Sequence, residues 1–122
     1  GGNSIIEFHA TVGGMTPVHQ FCKVGEHSFI GGGRVVLQDV PPYILATGEP
    51  LQYSGINSVG LRRRNFDQKT RTLIKKVYSF IYRSKYNTMQ ALEHVKNTFN
   101  TEKSTEVDNI INFIEGSERG II

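Results

Sequence analysis

The chain has 122 residues, of which 38% are hydrophobic and 20% are charged, and its formal net charge is +3. This balance is typical of a folded domain and excludes a wholly disordered segment. No apolar run approaches the roughly 20 residues that a membrane-spanning helix needs, so no integral membrane segment is expected. The single cysteine, Cys22, cannot form an internal disulfide or hold a metal by itself. A reducing compartment, the cytoplasm, is therefore the default expectation.

The first third of the chain contains a six-residue repeat. An aliphatic residue recurs at every sixth position, at Ile6, Val12, Val18, Val24, Ile30 and Val36. A period of six fits neither an α-helix nor a plain strand alternation, and it is typical of a parallel β-helix, in which three hexads form one triangular coil. The aliphatic side chains are expected to point inward, with small residues beside them and glycines easing the corners. We predict that residues 1–47 form the C-terminal coils of a parallel β-helix whose earlier coils lie upstream.

Four side chains of the repeat could carry chemistry. Cys22 falls in a column of small residues, which predicts a core thiol rather than a nucleophile. His9 and His27 lie 18 residues apart at equivalent corners and are expected to stack, but without a third ligand they predict no metal site. His19 follows an inward-facing valine, so its side chain is expected to point outward, either as a surface or interface residue or as a ligand contact or base.

Two prolines follow the repeat and are predicted to end it. Pro41 and Pro42 cannot donate hydrogen bonds to a strand ladder. Residues 48–64 then contain several glycines and a further proline, a composition that favours an extended or hairpin connection. We therefore expect residues 48–64 to connect the β-helix to a different kind of structure.

The hydrophobic period becomes helical after this connection, and residues 65–122 are predicted to form a small α-helical domain packed on the solenoid. Asp67 is the expected N-cap of the first helix. A second helix is expected to begin at Thr88. A third is expected to begin near Thr105, within a sequence that resembles a capping box, and to end at Gly116.

Positive charge is concentrated in the second half of the chain. Residues 1–60 carry a net charge of −2 and residues 61–122 a net charge of +5, which indicates an anionic partner or simply a solvated helical surface. The densest cluster, the three arginines at 62–64, suits bidentate contacts to phosphate, although at most two of them can face one ligand. A nucleic-acid surface is not expected, because Tyr78 and Tyr82 fall on the predicted core face and leave no aromatic side chains among the basic ones.

Several segments together resemble the acyl-carrier-protein–UDP-N-acetylglucosamine O-acyltransferases. The segments lie at residues 13–21, 38–43, 55–57, 60–66, 81–84 and 119–121, and they read GGMTPVHQF, QDVPPY, GIN, GLRRRNF, IYRS and RGI. They occur in order across almost the whole chain. Hexapeptide repeats alone would indicate only a superfamily of acyltransferases, and the VHQF and GLRRR segments narrow the resemblance to this family.

The resemblance implies a left-handed parallel β-helix and a homotrimer whose active sites lie between neighbouring β-helices. It implies transfer of a 3-hydroxyacyl group from acyl carrier protein to the 3-position of UDP-N-acetylglucosamine, the first step of lipid A synthesis, with no cofactor and no metal. The general base of the family is a histidine that would lie upstream of Gly1, so this chain alone is expected to be inactive. Gly2 matches the glycine whose amide would form the oxyanion hole.

The resemblance also assigns substrate-binding positions. His19 and Gln20 match residues of the family's substrate cleft, and three others match residues around the nucleotide and its phosphates. These three are Asn57, Arg63 and Arg64.

A second hypothesis, of a different class, is a non-catalytic module for trimerisation or for binding a carrier protein. In either case the exposed face of the first helix is expected to dock the acidic carrier through Arg71, Lys75 and Lys76. An upstream sequence with more hexads and a histidine would favour the enzyme, whereas an unrelated upstream domain would favour the module.

Overall fold

The computed structural model describes residues 4–100 and 103–122. Gly2, the predicted oxyanion-hole residue, lies outside the described residues. In this described part of the chain, six strands are followed by four helices: β1 (Ile5–Ile6), β2 (Thr11–Val12), β3 (Lys23–Val24), β4 (Phe29–Ile30), β5 (Ile44–Thr47), β6 (Gln52–Ile56), α1 (Ser58–Arg63), α2 (Gln68–Tyr82), α3 (Thr88–Thr98) and α4 (Thr105–Glu115). Within the described ranges, no helix has the length and apolar character needed to cross a membrane.

The short strands stack as the coils of a parallel β-helix. β1 pairs with β3 and β2 pairs with β4, both in parallel, and the paired residues are 18 positions apart. A parallel bridge between Val18 and Val36 forms the third side of the coil. Val24, Ile30 and Val36 are fully buried. The later residues of the aliphatic column thus lie inside the coils, whereas Ile6, in the first coil, is 46% exposed. The parallel pairing at a spacing of 18 residues and this buried column confirm the prediction of a parallel β-helix.

The coil continues beyond the prolines that were predicted to end it. A parallel bridge joins Val40 to Val24, and β5 pairs in parallel with β4, so that Ala46 lies beside Ile30. Partners in this part are 16 positions apart, because the side of the coil that precedes Val40 is two residues shorter than a hexad. The prediction that the repeat stops at the prolines is therefore wrong.

The two prolines are accommodated because they lie at a corner, where the ladder needs no N–H donor. Pro42 packs directly on the backbone of Gly25 in the preceding coil. A Cβ atom on Gly25 would lie 2.4 Å from the nitrogen of Pro42, so only glycine permits this approach.

The corners are made by residues with positive φ, and most of these residues are not glycine. They lie three positions after the aliphatic residue of each hexad: His9, Met15, Phe21, His27, Gly33 and Tyr43. The expectation that glycines ease the corners is thus only partly met. Gly13, one position after the aliphatic residue, instead allows close stacking, because a Cβ there would lie 2.4 Å from the nitrogen of Gly32.

The segment that joins the solenoid to the helices is more regular than expected. β6 turns back to pair antiparallel with β5, and α1 follows it after one residue, Asn57. Residues 58–63, expected to be extended, are therefore helical. α1 has six residues, includes Gly60 and buries only Leu61. Because a single buried residue cannot form a repeating apolar pattern, the sequence offers little evidence for this helix.

The three longer helices begin where the sequence predicts, and α4 also ends at the predicted residue. The side chain of Asp67 caps α2 by accepting a hydrogen bond from a backbone N–H of the first turn, α3 begins at Thr88, and Gly116 caps the end of α4. The N-cap of α4 is Ser104 rather than Thr105.

The helices and the solenoid share one hydrophobic core. The hydroxyl of Tyr78, on α2, donates to the carbonyl of Pro42 at the solenoid corner. The C-terminal segment returns to the solenoid, where Ile121 forms a parallel bridge with Asp39. The hydroxyl of Ser117 donates to the carboxylate of the same aspartate at 2.6 Å.

Candidate functional site

A cleft of about 860 Å3 lies between the wall of the solenoid and α1. Its floor consists of the outward-facing residues of three neighbouring strands, Thr11 on β2, Phe29 on β4 and Leu45 on β5. The floor is mostly apolar, and Phe29 remains 39% exposed. An apolar surface of this kind inside a cleft is a common feature of ligand sites.

The rim of the cleft carries positive charge. Arg63, the last residue of α1, and Arg64, its C-cap, both line the cleft and are exposed. Among the described residues, neither of the two ion pairs involves them. Two guanidinium groups that no carboxylate neutralises, close together in a cleft, are suited to bind an anion such as a diphosphate.

The third arginine of the cluster points elsewhere. Arg62 lines a smaller cleft of about 280 Å3 between α1 and α2, together with Arg71 and Lys75. The guanidinium group of Arg71 is held there by a hydrogen bond of 2.5 Å to the carbonyl of Phe66. The structure thus confirms that the three consecutive arginines cannot all face one ligand.

Asn57 lines the larger cleft, and its side chain also has a structural task that the sequence does not reveal. Its Oδ1 accepts a hydrogen bond from the N–H of Gly60 at 3.3 Å and so caps α1. Its Nδ2 donates to the carbonyl of His27 at 3.0 Å. Asn57 is only 8% exposed. Because residues 27 and 57 are distant in sequence, no local signal could have predicted this contact.

The other two predicted substrate-binding residues lie on a different side of the solenoid. The backbone N–H of His19 donates to the carbonyl of Val36 at 2.8 Å, on the side of the coil formed by the Val18–Val36 bridge, whereas the cleft floor belongs to the sheet of β2, β4 and β5. Its Nδ1 lies 3.1 Å from the carbonyl of Gln20, and both side chains are exposed. Within one chain, His19 and Gln20 therefore do not line the cleft that holds the two arginines.

One corner of the solenoid is filled by a column of aromatic rings. The rings of His9 and His27 lie 5.0 Å apart, and the ring of Tyr43 lies 5.9 Å beyond that of His27. Phe66, which follows α1, packs edge-on against His27 at 4.9 Å. The predicted stacking of the two histidines is confirmed, whereas the contributions of the tyrosine and the phenylalanine were not foreseen. No group of three or more metal-ligating side chains occurs among residues 4–100 and 103–122.

Cys22 is the core thiol that the sequence predicts. It is fully buried, and burial raises the pKa of its thiol. Because the thiolate is the nucleophilic form, this environment does not favour nucleophilic chemistry at Cys22.

Coils built from six-residue repeats, an outward-facing cleft and a C-terminal helical domain together define a hexapeptide-repeat β-helix protein. Residues 39–122 match the protein family described as UDP-N-acetylglucosamine O-acyltransferase, domain 2. The chain therefore belongs to the UDP-N-acetylglucosamine O-acyltransferase family.

Curated relatives and solved structures agree with this family. The acyl-[acyl-carrier-protein]–UDP-N-acetylglucosamine O-acyltransferase of Aliivibrio salmonicida is 41% identical over 99% of this chain and 45% of its own length. The enzyme of the same name from Thiobacillus denitrificans is 37% identical over 99% of this chain and 46% of its own length.

Two crystal structures of UDP-N-acetylglucosamine acyltransferases show the same fold over almost the whole of this chain. The Bacteroides fragilis structure is 44% identical with a TM-score of 0.92, and the match covers 98% of this chain and 46% of the Bacteroides chain. The Acinetobacter baumannii structure is 36% identical with a TM-score of 0.90 and the same two coverages. The chain thus spans about half the length of the relatives that it matches.

Proposed function

We propose that the protein carrying this chain is an acyltransferase that moves a 3-hydroxyacyl group from acyl carrier protein to the 3-position of UDP-N-acetylglucosamine, the first step of lipid A synthesis. The proposal includes a left-handed β-helix and a cytoplasmic location, with which the single buried Cys22 is compatible. It includes no cofactor and no metal, because a thioester already carries an activated acyl group. The observation that carries it is the pair of unneutralised arginines at the cleft of a chain from this family.

Arg63 and Arg64 are assigned to the diphosphate of the nucleotide sugar. Their planar guanidinium groups can each donate two hydrogen bonds to phosphate oxygens. Phe29 and Leu45 on the floor of the cleft supply apolar surface for the uncharged parts of the substrate. Asn57 lines the same cleft and is assigned to the nucleotide, although its side chain also caps α1.

Among residues 4–100 and 103–122, the cleft is lined by no group suited to act as a general base. Its lining residues include no histidine, aspartate or glutamate among the described residues. We assign the base to a histidine upstream of this chain, and the oxyanion hole to the amide of Gly2. The proposal therefore makes the 122-residue chain inactive by itself.

His19 and Gln20 are assigned to the substrate cleft through a homotrimer. Both side chains are exposed and lie away from the arginines of their own chain. In the proposed trimer they would instead line a cleft that is shared with a neighbouring β-helix. Large apolar side chains are exposed beside them, with Phe21 56% and Leu37 55% accessible to solvent. Such surface is typical of a subunit interface.

The acidic carrier protein is assigned to the exposed face of α2. Residues 58–83 contain eight Lys or Arg and a single carboxylate, Asp67. Arg71, Lys75 and Lys76 belong to this segment, as predicted for the docking surface, and Arg62 shares a cleft with two of them. Unneutralised like charges repel one another, so an anionic partner on this face gains favourable electrostatic energy.

The test is an activity assay on the whole protein. UDP-N-acetylglucosamine and a 3-hydroxyacyl carrier protein should give an acylated nucleotide sugar, detected by mass spectrometry, and the carrier protein without its acyl group is the control. A protein that assembles as a trimer and binds the carrier, yet forms no product, would instead favour the non-catalytic module.

A further inference from the structure

His27 has an unusual position for a histidine. It lies in the corner column at φ +55° and is 8% exposed. Its buried Nδ1 has no hydrogen-bond partner among the described residues. An unpaired buried nitrogen destabilises a fold, and an apolar ring would fill the same place without that penalty. Phe21 shows that a phenylalanine fits this corner conformation, since it adopts φ +67° at the equivalent point of another corner.

His27 holds both ends of α1. Before the helix, Nδ2 of Asn57 donates to the His27 carbonyl at 3.0 Å. After the helix, the ring of Phe66 packs against the His27 ring at a centroid distance of 4.9 Å. Tyr43, the next ring of the column, adds a second bond at the first end, because its carbonyl accepts from the Asn57 N–H at 2.8 Å. The short helix is thus attached to the corner on both sides.

The electrostatic surroundings favour a neutral imidazole. Burial lowers the pKa of His27, the neighbouring Glu26 raises it, and the electrostatic interactions with His9 and Arg64 lower it further. The ring of Tyr43 packs against the ring of His27, and its phenol is the remaining titratable group of the column. A charged imidazolium would lie in this apolar column and repel Arg64 at the end of α1.

We infer that His27 is a positioning residue, which holds α1 against the solenoid corner and so places Arg63 and Arg64 at the cleft. This inference rests on the proposed function only in the choice of ligand. His27 does not line the cleft and acts through the helix. This positioning role requires an uncharged ring at position 27. The affinity for the ligand should therefore fall when the imidazole of His27 is protonated.

The test compares two substitutions in the whole protein. His27→Ala removes the ring, whereas His27→Phe keeps an uncharged ring that cannot be protonated. His94→Ala is the matched control, because His94 packs on α3 against Phe80 and Tyr86, away from α1. The ligand is UDP-N-acetylglucosamine, whose diester phosphates stay ionised throughout. Its affinity is measured by calorimetry from neutral pH down to about two units below the ordinary histidine pKa of ~6.5, because burial lowers the pKa of His27.

We expect His27→Ala to weaken binding on the order of tenfold at neutral pH, the loss that follows when one charge-assisted hydrogen bond is misplaced. His27→Phe should restore the neutral-pH affinity and remove the fall in affinity that the unsubstituted protein shows on acidification. His94→Ala should resemble the unsubstituted protein. Unchanged affinity in His27→Ala, or an undiminished acid effect in His27→Phe, would overturn the inference.

A second measurement separates this inference from the proposed function. Hydrogen exchange of the α1 amides requires no ligand, and it should be faster in His27→Ala than in His27→Phe. If the unsubstituted protein fails to bind the nucleotide sugar but α1 exchanges faster in His27→Ala, the nucleotide assignment fails and the positioning role stands. Equal exchange in the two variants, both folded by circular dichroism, would refute the positioning role.

Discussion

The hydroxyl of Tyr78 donates a hydrogen bond of 2.5 Å to the carbonyl of Pro42, and both residues are buried. Tyr78 belongs to α2 and Pro42 to a corner of the solenoid, so this bond joins the two parts of the molecule. Burial raises the pKa of the Tyr78 phenol well above its ordinary value, and the hydroxyl therefore remains a donor at all ordinary pH values.

Tyr78→Phe should destabilise the protein, because it leaves a buried carbonyl without a donor. We expect the free energy of unfolding to fall by about 1–3 kcal/mol, measured by urea denaturation. Tyr86→Phe serves as the control, since Tyr86 is 44% exposed. An equal effect of the two substitutions would show that the hydrogen bond to Pro42 contributes nothing specific.

Arg64→Ala should raise the KM for the nucleotide sugar in the whole protein, because it removes a bidentate phosphate contact. A tenfold or larger change is expected from the loss of one charge-assisted hydrogen bond, worth about 1.5–3 kcal/mol. Arg62→Ala is the matched control, since Arg62 faces the other cleft. The measurement is steady-state kinetics in which the concentration of the nucleotide sugar is varied. Equal KM values for the two variants would contradict the assignment.

Replacing both Lys75 and Lys76 with alanine should mainly weaken the use of the carrier protein. Charges on an exposed face act over the distance at which salt screens them, about 10 Å at 0.1 M. Added salt should therefore reproduce the effect in the unsubstituted protein and have less effect on the double variant. Rates measured at several concentrations of the carrier protein and of salt check this prediction. If the double variant instead changed the KM for the nucleotide sugar, the carrier and the nucleotide would not bind at separate sites.

The 122-residue chain alone should show no turnover, because the described lining of its cleft offers no base. Loss of a general base typically lowers a rate by about 10²–10⁴-fold. The same assay that detects product from the whole protein would measure this. Clear turnover by the chain would place the base within it, with His19 as the first residue to substitute.

Phe21→Asp should weaken trimer formation, because it places a charge on the apolar surface assigned to the interface. Met89→Asp is the control, since Met89 is 69% exposed on α3, in the helical domain. Sedimentation at micromolar concentration should show trimers for the control and smaller species for Phe21→Asp. A monomeric unsubstituted protein would contradict the assembly itself.

The sequence predicts those parts of the fold that depend on a repeated local requirement. Each hexad must place an apolar residue inside the coil, so Val24, Ile30 and Val36 could be recognised by spacing alone. The coil through Val40 could not be recognised in this way, because the side of the coil before Val40 is two residues shorter than a hexad and breaks the six-residue period. α1 was missed for a similar reason, since a six-residue helix that buries one leucine leaves no apolar stripe.

The resemblance to the family assigns Asn57, Arg63 and Arg64 to one site, and the structure places all three along one cleft. Three consecutive arginines cannot all face one ligand, so the separation of Arg62 could also be expected from the sequence. The attachment of Asn57 to His27 joins residues 30 positions apart. Contacts at that range depend on how the coil and the connection pack, which no local pattern encodes.

The antiparallel pairing of β6 on β5 has a consequence for how copies of this protein meet. A parallel β-helix that simply stopped would present a row of unpaired N–H and C=O groups, a template for adding another chain and for aggregation. Here β6 covers one side of that last coil, and the bridge between Ile121 and Asp39 covers part of another. This cover removes part of the template through which a second chain could add to the end of the solenoid.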